Sequence, residues 1–220
     1  VAEHSATSLA ERGWIHRGSW LADFTATLVL VIGVICALGA LATASVSVLS
    51  STAEATVVVD PSALRGDGMT SKLVLPAGTY VEPLASSREF SFKVAPAPVH
   101  LRLAANSALI LTQLFLAAGC WLLWRLLRTI GRGEPFDPQN GRRLVWLGVV
   151  ALGLGVAVPG AEWLSGFLII EYFDADRHLD PIGITLNATV TAVLFGLVFL
   201  ALASAFARGT RLTQDVDGLV

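Results

Sequence analysis

The chain has 220 residues, 54% of them hydrophobic and 15% charged, with a formal net charge of −2. A soluble domain is nearer a quarter charged, so lipid is the expected solvent for much of this surface. No nucleic-acid partner is expected, because a phosphate backbone needs a concentrated basic face. The only two cysteines, Cys36 and Cys120, fall in apolar runs and exclude both a disulfide framework and zinc-ligand spacing.

Residues 1–19 are polar, carry the helix-compatible patch Leu9-Ala-Glu-Arg12 and an interfacial Trp14, and read as a cytoplasmic segment without a domain of its own. The first apolar stretch, residues 20–49, is long enough to cross a ~30 Å hydrocarbon layer as a helix. Arg12 and Arg17 before it and Ser51-Thr-Ala-Glu-Ala55 after it resemble a secretory signal. The run is about twice the length of a signal core, so a retained helix is expected. Asp23 in its first turn suits the positive end of the helix dipole, which makes capping its expected task rather than catalysis.

Residues 50–105 change from long apolar runs to short ones bounded by turn residues. Thr56-Val-Val-Val59, Lys72-Leu-Val-Leu75, Thr79-Tyr-Val-Glu-Pro83, Phe90-Ser-Phe-Lys-Val94 and Val99-His-Leu-Arg-Leu103 read as roughly four or five short strands. A core of this size without disulfides is marginal alone, so the β-rich insertion is expected to pack on helix ends or on a partner.

The second span, residues 106–130, ends in Trp121, Trp124, Arg125 and Arg128, an aromatic and basic cluster typical of a cytoplasmic interface. A hairpin at 131–143 follows, rich in turn formers, in which Asp137 is placed to cap a short helix with Pro138 at its first position. The third span, residues 144–170, holds Trp146 near its start and Pro159 inside, where a kink is expected. An acidic loop at 171–180 carries Glu171, Asp174, Asp176 and Asp180 against one arginine, Arg177. The fourth span covers 181–207, and residues 208–220 form a tail. With the arginines concentrated on the 131–143 side, the expected fold is a mainly α integral membrane protein. It has four transmembrane helices, both termini cytoplasmic, and the β-rich insertion between helices one and two on the extracytoplasmic side.

Two motifs carry a resemblance. Gly133-Glu-Pro-Phe-Asp-Pro-Gln-Asn140, followed by Arg142-Arg-Leu and Leu147-Gly148, lies between the second and third spans. Ala205-Phe-Ala-Arg-Gly-Thr-Arg-Leu212, with the closing Asp217-Gly-Leu-Val220, follows the fourth. Together they resemble the bacterial four-helix membrane proteins called domain of unknown function 2975. The resemblance implies a multi-pass protein of the bacterial cytoplasmic membrane with a large first extracytoplasmic loop, often encoded beside a small helix-turn-helix regulator. It supplies no catalytic residues. The closing tetrapeptide departs from the Asp-Leu-Thr-Val-like ending of many members.

Within the spans, Glu162 is the costliest polar residue, and a carboxylate in an apolar helix marks a functional hypothesis. It sits about eight residues, or ~12 Å, from the outer end of its span, near the depth of Gln113 and of Asn187, with Thr189 and Thr191 beside it. These residues could form one polar cluster, either a proton- or cation-responsive site or an interhelical hydrogen-bond clasp. At the hairpin, Arg125, Arg128, Arg132, Arg142 and Arg143 could contact anionic lipid or serve only orientation and turning. Phe136, an aromatic flanked by prolines, points to docking. Asp174, Asp176, His178 and Asp180 alternate as oxygen and imidazole groups would around a hard cation, but the sixth-position glycine and the bidentate glutamate of a calcium loop are missing. A solvated loop and no metal are expected there.

No His-Glu-x-x-His, Gly-x-Ser-x-Gly, phosphate-binding glycine loop or pair of intramembrane aspartates occurs. The expectation is therefore a non-enzymatic regulatory or accessory protein with no cofactor. Its partners would be the bilayer, a membrane or cytoplasmic protein, and further copies of itself. The alternative is a small oligomeric channel or transporter using the cluster around Glu162.

Overall fold

A computed structural model describes residues 2–58, 79–83, 89–134, 137–172 and 190–217. In chain order it contains α1 (Ala2–Leu49), β1 (Ala53–Val58), β2 (Thr79–Pro83), β3 (Glu89–Val94), α2 (Val99–Ala105), α3 (Ser107–Gly131), α4 (Pro138–Tyr172) and α5 (Val190–Asp217). Among the described residues, four stretches are long and apolar enough to cross a membrane: Asp23–Leu49, Ser107–Gly131, Pro138–Leu168 and Val190–Thr210. They fall on the four apolar stretches of the sequence.

Little of these spans is covered by protein. Even in Pro138–Leu168, the most covered, only 28% of the most apolar window is buried. Leu41, Val156 and Val190 are each about two-thirds exposed. Water would not tolerate apolar surface on that scale, whereas lipid tails solvate it.

Some boundaries differ from those expected. The polar residues before the first span belong to α1, because a span that is already helical extends cheaply through Leu9-Ala-Glu-Arg12 and its neighbours, one hydrogen bond per residue fixed. Val99–Leu103, read as a strand, is helical. Five residues of alternation cannot separate period two from a short helix, and good helix formers, Leu101 to Ala105, follow the extended Pro98. The expected 131–143 hairpin and the third span also merge, since α4 starts at Pro138 and runs unbroken past Pro159 to Tyr172. Pro159 has no N–H to give the Gly155 carbonyl, so one bond of the ladder is missing there. Residues 72–75 and 181–189 lie outside the described residues.

The chain divides into two compact units, Val1–Leu38 with Leu114–Gly153 and Val190–Val220, and Gly39–Gln113 with Leu154–Thr189. In the first, Leu126 of α3, Leu144 and Leu147 of α4 and Ala203 of α5 form a buried cluster, with Leu122, Leu123, Phe199 and Phe206 packed against it. Glycine sets how closely α4 and α5 approach. A Cβ on Gly148 would stand 3.0 Å from the Gly196 carbonyl oxygen, and one on Gly196 would stand 3.0 Å from that of Gly148. Small residues at a helix crossing in lipid permit this backbone approach, which dispersion and packing then stabilise.

In the second unit, β1 and β2 flank β3 in an antiparallel sheet of order β1-β3-β2. Ala53 and Thr79 both stand opposite Val94. Ala53, Ala97 and Leu101 are buried as α2 packs against β1. The Ala97 N–H donates to the Ser51 carbonyl at 3.0 Å, and Arg102 Nη1 donates to the Val48 carbonyl at 3.1 Å. That carbonyl belongs to the last turn of α1, where orphan acceptors and the negative end of the dipole both favour a cation.

Candidate functional site

The connection from α3 to α4 is built by its own side chains. Gly133 takes φ +82°, a conformation nearly free of cost only for glycine. This lets the Gly133 N–H donate to the Ile130 carbonyl at 2.9 Å and the Glu134 N–H to the Thr129 carbonyl at 3.3 Å. The pair of bonds is a Schellman ending, which satisfies carbonyls that the helix leaves over. On the other side, Asp137 accepts from the Gln139 N–H through Oδ1 at 2.8 Å and from the Asn140 N–H through its carbonyl at 2.9 Å. Asp137 thus caps α4 with Pro138 first in the helix, where a missing N–H costs nothing.

Asn140 joins the two halves. It is completely buried, donates from Nδ2 to the Glu134 carbonyl at 3.3 Å, and accepts through Oδ1 from Arg143 Nη1 at 2.8 Å. Arg143 Nη2 donates to Gln139 Oε1 at 2.9 Å, while Nη1 also reaches the Thr129 hydroxyl and the Arg125 carbonyl. The Thr129 hydroxyl in turn donates to the Arg125 carbonyl at 2.8 Å. One guanidinium therefore ties the last turns of α3 to the first turn of α4. Its charge lies at the negative end of the α3 dipole.

The other arginines face outward. Arg125 lies over the Trp121 ring at 4.4 Å and Arg128 over the Trp124 ring at 5.4 Å. Arg132 and Arg142 are exposed, with no ion pair among the described residues. Phe136 lies outside the described residues. Of the basic residues read as one surface, Arg143 is spent inside the hairpin, Arg125 and Arg128 are held on indoles, and Arg132 and Arg142 stay open. Asn140, Thr129 and Gln139 were not singled out from the sequence. The signal was present in the spacing, since Gln139 and Asn140 sit four and three residues before Arg143, the separations that meet on a helix.

The polar residues of the spans divide. Gln113 Oε1 accepts from the Thr43 hydroxyl at 3.5 Å, and its amide lies 3.1 Å from where a Cβ of Gly39 would stand. Glu162 is exposed, and its carboxylate has no hydrogen-bond partner among the described residues. Beside it, Trp163 stacks on Phe167 with centroids 5.8 Å apart. Asn187 lies outside the described residues, as do Asp174, Asp176, His178 and Asp180. Among the described residues, no group of three His, Cys, Asp or Glu is placed to hold a metal.

Four membrane-capable helices, apolar on their outer faces and joined at α3–α4 by a braced hairpin, define a multi-pass helical membrane protein. Residues 85–220 match the family described as Protein of unknown function (DUF2975), and the chain belongs to that family. The match takes in α3, the hairpin, α4 and α5. No curated protein and no solved structure matches the chain.

Proposed function

We propose that this is a non-enzymatic regulatory or accessory protein of the bacterial cytoplasmic membrane, whose α3–α4 hairpin docks a second protein. The observation that carries the reading is the bracing of that hairpin. Asn140 and Arg143 tie its two sides together from within, while Arg132 and Arg142 remain exposed with no partner among the described residues. A surface ordered before binding loses little conformational freedom on association, which favours recognition over mere turning. In this reading both termini and the hairpin are cytoplasmic, in keeping with the excess of arginine there. In the same reading the segment between the first two spans, residues 50–105, is extracytoplasmic and senses or docks.

Purification from native membranes in polymer discs, with mass and protein identity read together, tests the proposal. A stoichiometric second protein that is lost on Arg132→Glu with Arg142→Glu is the expected result, and a homo-oligomer with no companion would refute it. Reporter fusions at each terminus and within residues 59–78 check the sidedness.

The second reading, a small oligomeric channel or transporter, draws on Glu162. An exposed carboxylate on a membrane-capable helix, with no partner among the described residues, favours coverage by another copy of the chain or contact with water. Liposome flux by the purified protein, abolished by Glu162→Gln, would put this reading first. Tight liposomes would remove it.

A further inference from the structure

Trp121, Trp124, Arg125 and Arg128 recur at the helical spacings of three, four and seven residues, so they share one face of α3 near its end. Leu126, on roughly the opposite side, is buried, whereas Trp121, Arg125 and Arg128 are exposed. The direction of the two arginines matters. Side chains on a helix tilt toward its N-terminus, and each guanidinium here rests on the indole close to one turn earlier. Both charges are thus drawn back toward the apolar part of the span instead of forward past Gly131. Arg125 lies six residues before that end, or ~9 Å at 1.5 Å per residue. With Gly131 at the membrane boundary, a guanidinium held there would lie away from bulk water, and the face of an indole would offset only part of the lost hydration. An anion at the same depth would complete the site.

The neighbouring surface indicates what carries that anion. Beside Trp121, α1 and α3 leave an open apolar groove of about 180 Å³, lined by Leu30, Gly33, Val34, Ala37, Ala117 and Trp121. The helices come close there because position 33 is glycine, whose Cβ would stand 2.9 Å from that of Cys120. Trp121 is shared by the groove and by the Arg125 stack, so a basic site and an apolar channel meet at one side chain.

We infer that this face of α3 is a binding site for one anionic glycerophospholipid, with its phosphate on Arg125 and Arg128 and an acyl chain along the α1–α3 groove. Charge complementarity selects the headgroup, and the groove distinguishes a lipid from a soluble phosphate, which could use only the arginines. The site is separate from the proposed protein-docking face, since it uses neither Arg132 nor Arg142.

Native mass spectrometry of the full chain, released from discs of mixed phosphatidylglycerol and phosphatidylcholine, tests the assignment. The wild type is expected to retain phosphatidylglycerol in preference to phosphatidylcholine, and the preference to fall about fivefold for each arginine removed in Arg125→Gln and Arg128→Gln. Val34→Trp, which fills the groove and leaves both arginines in place, should also release the lipid. It keeps the test decisive if the arginine variants do not fold. Arg132→Glu with Arg142→Glu should leave retention unchanged, so loss of the protein partner and loss of the lipid site are read apart. Equal retention of the two lipids by the wild type, or displacement of phosphatidylglycerol by inorganic phosphate, would overturn the assignment.

Discussion

Two connections between membrane-capable helices can be compared, the short one from α3 to α4 and the long one from α1 to α3. Side chains hold the short one: Asp137 caps, Asn140 bridges to the Glu134 carbonyl, and Arg143 gathers Gln139, Asn140 and Thr129. Among the described residues, backbone pairing chiefly holds the long one, with Ala53 opposite Val94 and Ala97 bonded to Ser51. Arg102 reinforces it at the end of α1. A connection fixed by specific side chains is intolerant of change at those positions and keeps one shape. A connection closed by backbone pairing near its ends leaves the residues between those ends freer to vary in sequence.

The largest effect expected from this contrast is at Asn140. Asn140→Leu keeps the volume but removes the bond to the Glu134 carbonyl and the bond from Arg143, leaving these two partners short of a bond in a part-buried place. Each such group costs about 1–3 kcal/mol, so a loss of about 2–4 kcal/mol is expected. Reversible unfolding in mixed micelles measures it, and hydrogen exchange across residues 131–143 should quicken. Arg102→Leu in the long connection removes one bond to Val48 together with a buried Nε that has no hydrogen-bond partner among the described residues, and should cost less than about 1.5 kcal/mol. If Arg102→Leu proves the more damaging, the contrast fails.

Second in size is the α4–α5 crossing in the unit that contains the hairpin. Gly196→Ala places a Cβ 2.7 Å from Leu152 Cγ and 3.0 Å from the Gly148 carbonyl oxygen. The leucine can turn aside but the carbonyl cannot, so about 1–3 kcal/mol of overpacking is expected. Next comes Gly133→Ala, where nothing lies within 4 Å of the new methyl group. The cost is then purely that of φ +82°, about 1 kcal/mol. Asp137→Ala should cost a similar amount, about 1 kcal/mol, by loss of the cap. Unfolding of each variant in the same micelles checks these values.

How far the sequence foretold these features follows from how local each one is. The spans rest on composition over some twenty residues, and the Asp137-Pro138 helix start rests on adjacent residues, so both are legible in a single chain. Arg143 is not, because its partners come from two helices and nothing in a run of arginines says which one turns inward. Val99–Leu103 fails for another reason. Its alternation is too short to outweigh Leu-Arg-Leu-Ala-Ala, and what settles it is tertiary, the burial of Leu101 and the reach of Arg102 to α1. Glu162 and Gln113 were joined on depth alone, and depth says nothing about the angle around a helix.

The smallest effect concerns that last pair. Gln113 has a partner in Thr43, at 3.5 Å and therefore at the weak limit of a hydrogen bond, and it sits close to Gly39. Thr43→Val keeps the β-branched shape and removes the hydroxyl, and interhelical bonds of this kind average about 0.6 kcal/mol in lipid, so the change should be no larger. A Gln113 that serves only as a clasp would give Thr43→Val and Gln113→Leu equally small losses, because each deletes the same bond. A Gln113 that belongs to a wider polar cluster would separate them, with Gln113→Leu costing more by whatever its amide gives to groups other than Thr43. Combining each variant with Glu162→Gln then tells whether those groups include Glu162, since independent sites add and coupled ones do not.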